Sequence, residues 1–139
     1  DEMLQQHAVL KADVDRINLM ISSPPDTRAE ARGRELLLES VASLAADLEK
    51  HFNYEEQGGS YLKVVTDARP TLSPKVEALR DEHADILRRL EAVMRSDDHV
   101  PLADIERDLT TVLDMLRRHE AAETSMVVEA VNTDIGAAD

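Results

Sequence analysis

Imidazole and carboxylate side chains recur in this chain at positions that helical spacing would bury together. The set comprises His7, His51, Glu55, His83, His119 and Glu123. It contains two His-x-x-x-Glu pairs, in HFNYE at 51–55 and in HEAAE at 119–123. Residues four apart lie one turn above each other on a helix, so each pair presents both side chains to the same point. Buried histidine and glutamate are costly unless they are paired or coordinated, which makes the set a candidate metal site.

Four imidazoles and two carboxylates suit iron or manganese, whereas zinc is less suited because it prefers four ligands. Two six-coordinate ions offer about twelve ligand positions. The six side chains, with both glutamates bridging, and one bridging oxygen would fill about ten of them. About one position per ion would stay open, and oxygen species could bind there.

Four long segments with helical spacing of apolar residues would position these ligands. Three interruptions separate the segments, at residues 22–25, 69–74 and 97–101. Within each segment apolar residues follow in steps of three and four, which places them on one helix face. His7 and His83 lie near the starts of their segments, and His51 and His119 lie late in theirs. In an up-down-up-down four-helix bundle these four positions meet at the same end of the core.

Local signals mark where the helices begin. Thr27 with Glu30 forms a capping box ahead of the second helix. Ser73 followed by Pro74 begins the third helix, with proline in the first turn. Residues 27–36 precede the apolar face of the second helix, so the spacing leaves open whether they extend the helix or form a loop.

Glycines mark where two helices are expected to end. Gly58 and Gly59 follow the polar residues of the second segment and should end or bend that helix. Gly136 is expected to close the fourth helix. These limits predict a single all-α domain over residues 1–139.

Composition agrees with this prediction and restricts the class of partner. At 139 residues the chain is long enough for one domain with a full core. Aromatic residues make up only 2%, so aliphatic side chains must fill that core. Four glycines and five prolines are too few turn signals for many short strands. The net charge of −13 should repel nucleic acid and anionic membranes and attract cations.

The expected location is the cytoplasm. No apolar run approaches the length of a membrane span, and no signal-peptide pattern is present. The absence of cysteine excludes a disulfide framework and a thiolate metal site. The chain starts at Asp1 rather than at methionine, which leaves open a larger parent protein. The sequence does not determine the oligomeric state.

The arrangement of the ligands resembles the hemerythrin-like family, also called HHE cation-binding domains. The resemblance rests on one histidine in the first helix, HxxxE in the second, one histidine in the third and HxxxE in the fourth. It covers essentially the whole chain. It implies a left-handed four-helix bundle with two non-haem iron ions joined by an oxo or hydroxo bridge, and with Glu55 and Glu123 as bridging carboxylates.

Two departures from the oxygen-carrying hemerythrins weigh against reversible oxygen carriage. Those proteins have a second histidine four residues after the third-helix histidine, where this chain has Leu87. They also have an aspartate five residues after the fourth-helix histidine, where this chain has Thr124 and carries Glu123 one position earlier. HEAAE resembles the HExxE variant of some hemerythrin-like proteins, which keeps Glu120 as a further candidate ligand.

Tyr54 is a candidate for the coordination position left by the missing histidine. It follows His51 by three residues and can share its helix face. A phenolate would reduce the positive charge that a ferric pair retains after an oxo bridge and two carboxylates. The alternatives are contact with a ligand carboxylate or plain packing. Glu56 and Glu82 are expected in solvent beside the site, where each could approach a metal. His99 is expected at the opposite end.

Several functions are compatible with this ligand set. We prefer a module that binds or senses dioxygen, nitric oxide or peroxide, or handles iron, because no substrate pocket or further acid–base residue is evident. A di-iron enzyme acting on peroxide or nitric oxide would use the same centre. A helical interaction domain with a structural metal would not need open positions. Ferritin-like proteins use Glu-x-x-His pairs, which the core positions here do not contain.

Overall fold

A computed structural model of the chain describes residues 2–23, 30–57 and 61–138. Every regular element in these ranges is helical, which confirms the all-α prediction. The elements are α1 (Glu2–Ser22), α2 (Glu30–Glu56), α3 (Tyr61–Ala68), a 3-10 turn (Pro70–Leu72), α4 (Ser73–Met94) and α5 (Leu102–Ala138).

The long helices pack in sequence order, with α1 against α2, α2 against α4 and α4 against α5. Their apolar faces form one large apolar cluster. Its most buried members include Ile17, Leu44, Leu48, Ile86, Leu90 and Leu109. Burying one such side chain contributes about 1.5–3 kcal/mol relative to leaving it exposed. The three-and-four spacing predicted these buried positions.

The short helix α3 is a fifth helix that the spacing of the long segments did not predict. Its residues Leu62 and Val65 are buried three positions apart, on one face. They pack in a second, small apolar cluster with Leu72 and with residues of α4 and α5. An eight-residue helix is marginal by itself, so this tertiary packing is what stabilises α3.

The polar ligand positions lie between these two clusters rather than at the end of the core. On α4, Val76 and Leu79 belong to the small cluster, whereas Ile86 and Leu90 belong to the large one. His83 stands between the two pairs. The helix α3 therefore covers the side of the polar residues that faces away from the large cluster.

The helix starts agree with the sequence signals where the structure describes them. Helix α4 begins at Ser73 with a proline in its first turn, as predicted. Helix α2 is already formed at Glu30, so residues 30–36 extend it instead of forming a loop. Thr27, the capping residue expected before α2, lies outside the described residues.

The helix ends agree less well. Helix α2 ends at Glu56, and the glycines expected to end it, Gly58 and Gly59, lie outside the described residues. The prediction that Gly136 closes the last helix is wrong, because α5 continues to Ala138. One glycine inside a helix costs about 1 kcal/mol, which is too little to stop a helix of 37 residues.

The outer faces of the helices carry charged pairs at helical spacing. Lys11 and Asp15 lie 2.7 Å apart, and Lys63 and Asp67 lie 2.8 Å apart, all four exposed. Exposed pairs of this kind contribute a few tenths of a kcal/mol each. None of the helices in the described part of the chain has an apolar stretch that could cross a membrane.

Candidate metal centre

The two His-x-x-x-Glu pairs are buried inside the helical core. His51 and Glu55 on α2 are 3% and 0% exposed, and His119 and Glu123 on α5 are 2% and 6% exposed. Nε2 of His51 lies 2.7 Å from Oε1 of Glu55, and Nε2 of His119 lies 2.8 Å from Oε1 of Glu123. One helical turn thus brings each imidazole onto its carboxylate, as the four-residue spacing predicted. We call these four residues, together with His83, the polar layer.

The polar layer divides into two groups of possible ligands that share one residue. The α4/α5 site consists of His83, His119 and Glu123, and the α2/α5 site consists of His51, Glu55 and Glu123. Within each group the ligand atoms lie within 4.8 Å of one another. Glu123 is the residue that the two groups share, and a carboxylate offers two oxygen atoms as possible ligands. Glu55 belongs to one group.

Glutamates hold the outer nitrogens of two histidines in the polar layer. Nδ1 of His83 lies 3.2 Å from Oε2 of Glu56, and Nδ1 of His119 lies 2.6 Å from Oε2 of Glu82. A carboxylate only accepts hydrogen bonds, so Nδ1 of each ring carries the proton and donates it. The lone pair of Nε2 is therefore turned toward the core. The sequence had placed Glu56 and Glu82 in solvent, and their contacts with the two rings are an addition.

An amide plays the same part for the third histidine. Nδ1 of His51 lies 2.8 Å from Oε1 of Gln6, which is 8% exposed on α1. The amide nitrogen of Gln6 donates to Oε1 of Glu2 at 2.7 Å, so the carbonyl oxygen is the atom that faces the ring. His51 therefore also keeps its proton on Nδ1 and its Nε2 lone pair toward Glu55. Sequence reasoning missed Gln6, which directly precedes His7 and carries no ligand chemistry of its own.

The α4/α5 site has the donor atoms that a cation requires. Nε2 of His83 and Nε2 of His119 are buried and have no hydrogen-bond partner among the described residues. They nevertheless lie 3.5 and 2.8 Å from Oε1 of Glu123. Atoms that all carry lone pairs repel at such distances unless a proton or a cation lies between them. Imidazole and carboxylate donors suit iron or manganese, so these residues fit the expected metal.

The two glutamates of the layer have opposite pKa shifts. Burial, followed by the charge of Glu123, raises the pKa of Glu55. Burial also opposes ionisation of Glu123, but its close contacts with the imidazoles of His119 and His83 outweigh it and lower the pKa of Glu123. The pair therefore favours one protonated and one ionised carboxyl group at neutral pH.

The pKa values of two histidines in the layer are also shifted in opposite directions. Burial lowers the pKa of His51, which favours the neutral imidazole that a metal binds. Burial also opposes the charged form of His119, but contacts with Glu123 and Glu82 outweigh it and raise its pKa. Since metal ligands must lose their protons, a cation entering the layer would release protons from Glu55 and His119.

Phe52 is a further component of the layer that sequence reasoning missed. Its ring stacks on that of His83, with centroids 3.9 Å apart and planes 7° apart. It also meets His119 edge to face at 5.7 Å. The side chain is 2% exposed and excludes water from one side of the α4/α5 site. Phe52 is the one phenylalanine of the chain and directly follows His51, a signal that could have found it.

The structure brings His7 near the polar layer but not into it. Its ring centroid lies 4.8 Å from that of His51, yet its side chain is exposed and belongs to neither site. His7 lines a groove of about 930 Å³ between α1 and α5. Apolar residues such as Leu10 form much of the lining, and Glu55 and Glu123 are also part of it. The sequence had indicated no such pocket.

Tyr54 faces a surface depression. It is half-buried and lines this depression with Gln6 and Lys50. Glu120, the further candidate ligand, is exposed at the groove between α1 and α5. His99 is exposed in the connection before α5, as expected. The ligand roles of His7, Tyr54 and Glu120 stay predictions.

The matched family agrees with this geometry. A family model described as the hemerythrin HHE cation binding domain matches residues 1–131. No curated protein and no solved structure matches the chain. The matched range includes all five residues of the polar layer.

Proposed function

This chain belongs to the hemerythrin family of HHE cation-binding domains, and we propose that it is a non-haem di-iron protein that binds or senses an oxygen species. Dioxygen, nitric oxide and peroxide are the candidate ligands. The observation that carries the proposal is the pair of adjacent sites that share Glu123. Iron would supply a coordination position and an exchangeable electron for such a ligand.

We assign the metal ligands residue by residue. The α4/α5 site would hold one ion through His83, His119 and Glu123, and the α2/α5 site would hold the other through His51, Glu55 and Glu123. His7 is the sixth proposed ligand, because its ring stands next to that of His51. An oxo or hydroxo bridge between the ions would complete the centre that the sequence predicted.

We also infer the arrangement of the whole chain. The packing of α1 on α2, α2 on α4 and α4 on α5 supports an up-down-up-down bundle of the four long helices. Residues 1–139 would then form a single domain, with α3 as an addition at the connection between α2 and α4. A cytoplasmic location stays a prediction from the sequence.

The groove between α1 and α5 supports a small, uncharged ligand. Glu55 and Glu123 are among its lining residues, and leucine and valine side chains form much of its wall. An apolar wall and a net charge of −13 disfavour anions. Dioxygen, nitric oxide and hydrogen peroxide are all small and uncharged at neutral pH.

The same groove keeps a second candidate function open, an enzyme that acts on peroxide or nitric oxide. Its volume of about 930 Å³ exceeds what a diatomic molecule needs. A structural metal in an interaction domain is less well supported, because a structural site does not need an open route.

Metal analysis combined with spectroscopy tests the proposal. Protein prepared in iron-rich medium should carry about two iron ions per chain and show near-ultraviolet absorption of an oxo-bridged ferric pair. Exposing the reduced protein to dioxygen, nitric oxide or peroxide in turn should change the spectrum with at least one of them. About one ion per chain, or zinc alone, would contradict the di-iron proposal.

A further inference from the structure

The two sites of the polar layer differ in the groups behind their histidines. Behind the α4/α5 site stand two carboxylates, Glu56 at His83 and Glu82 at His119. Behind the α2/α5 site stands the neutral amide of Gln6 at His51. The groups behind the histidines are therefore unequal in charge, although the ligands of the two sites are of the same two types.

The carboxylates strengthen the α4/α5 site as a cation site. A carboxylate that accepts the Nδ1 proton of an imidazole makes the opposite nitrogen a more basic ligand and holds the ring in place. The hydrogen bond from His119 to Glu82 is short, at 2.6 Å, as expected for a charged acceptor. Phe52, stacked on His83, shields this site from water.

The side-chain amide of Gln6 orients the ring of His51 but places no negative charge next to it. Gln6 is buried, and it connects His51 to the carboxylate of Glu2 by two hydrogen bonds of 2.8 and 2.7 Å. The negative charge of Glu2 thus stands one residue farther from the ring than the charges of Glu56 and Glu82 do from theirs. Glu55 of the same site and Glu123, which both sites share, line the groove between α1 and α5.

We propose that Gln6, Glu56 and Glu82 set different affinities at the two sites, so that the α4/α5 site fills first and holds its ion longer. The α2/α5 site fills second and releases its ion first. These three are positioning residues that act through the histidines. The inference rests on the proposed function, since it requires both sites to bind metal.

Chelator-driven release from the iron-loaded protein tests this order. Under reducing conditions, a coloured ferrous chelator should remove iron in two phases of about one ion each. The first phase should be at least about tenfold faster than the second, because outer partners of metal-binding histidines change affinity by about 10–100-fold. Release in one phase would overturn the proposal.

Charge-matched variants assign the phases to the sites. Gln6→Glu combined with Glu2→Gln keeps the net charge and moves the carboxylate next to His51, so the fast phase should slow by about tenfold or more. Glu82→Gln should accelerate the slow phase by about 10–100-fold and leave the fast phase as it is. Glu91→Gln is the matched control, an exposed glutamate nine residues further along α4, and should change neither phase.

The two opposite changes keep the outcome decisive. Circular dichroism shows whether Glu82→Gln folds. If it does not, the double variant Gln6→Glu with Glu2→Gln still tests the proposal, because its fast phase of iron release should be slower than that of the wild type. If the double variant releases iron with the same two rates as Glu91→Gln, the proposal that these residues set the affinities of the two sites is overturned. A wild-type preparation that holds fewer than two ions would instead count against the proposed di-iron function itself.

Discussion

The large apolar cluster and the polar layer are built on the same helices but are held by different forces. In the cluster, side chains such as Leu44 and Leu109 are fully buried and need only close packing. In the layer, His83 and Glu123 are nearly as buried, yet their stability depends on protons or a cation between them. The cluster should therefore be insensitive to metal and pH, whereas the layer should respond to both.

One buried acid lies in the region of the large cluster, so this region also contains a group that can respond to pH. Asp13 on α1 is 3% exposed and stands between Leu10 and Ile17, which both belong to the cluster. It accepts hydrogen bonds from Ser43 and Arg16, each at 3.3 Å. Unlike the carboxylates of the layer it belongs to neither group of possible metal ligands, so it separates the effect of burial from the effect of metal.

The largest loss of stability should come from truncating the cluster. Leu109→Ala removes a fully buried side chain and leaves a cavity, so unfolding should become easier by about 2–5 kcal/mol. Chemical denaturation should show the same loss with iron bound and after chelation. Leu4→Ala, at a side chain that is 67% exposed, is the control and should change little. A loss from Leu109→Ala that disappeared after chelation would contradict the comparison.

A ligand substitution should have a similar but metal-dependent effect. His119→Ala should lower the iron content and the thermal stability, because an ion that binds only the folded chain stabilises it. At free metal about 100-fold above the dissociation constant, that contribution is about 2.7 kcal/mol. After chelation the difference between variant and wild type should shrink. His99→Ala, whose side chain is 96% exposed, should change neither quantity, and an equal response there would refute the assignment.

The pH dependence of Asp13 should give a smaller effect. Burial, together with the neighbouring Asp47, raises the pKa of Asp13 to about 6. Its protonated form is favoured in the fold, so its stabilisation is complete below about pH 4 and is lost as the pH rises through 6. Asp13→Asn should abolish this change, on the order of 2 kcal/mol, in denaturation curves measured between pH 4 and 7. Exposed Asp15→Asn is the control, and an unchanged pH profile of Asp13→Asn would disprove the assignment.

The smallest effect should be that of Tyr54→Phe. Because Tyr54 is half-buried at a surface depression that it lines with Gln6 and Lys50, its hydroxyl should not contribute to the iron spectrum. The visible absorption of the ferric variant should equal that of the wild type. If a charge-transfer band of the wild type is absent from the variant, Tyr54 is an iron ligand after all.

The sequence predicted those parts of the site that depend on one helix at a time. His51 with Glu55, and His119 with Glu123, are in contact because a four-residue step is one turn of any α-helix. The all-α fold and the buried faces of the long helices follow from the same periodicity. The short helix α3 escaped this reasoning, because its eight residues are stabilised only by distant parts of the chain.

The sequence by itself determined which residues could bind metal, and the tertiary structure decided how they are arranged. Only the relative rotation and offset of the helices make Glu123 the shared residue and leave His7 exposed at the groove. The same packing places Glu82 behind His119, 37 positions away, and Gln6 behind His51, 45 positions away. Helical periodicity is a local property of the backbone, whereas these pairings depend on how side chains of different helices fit together.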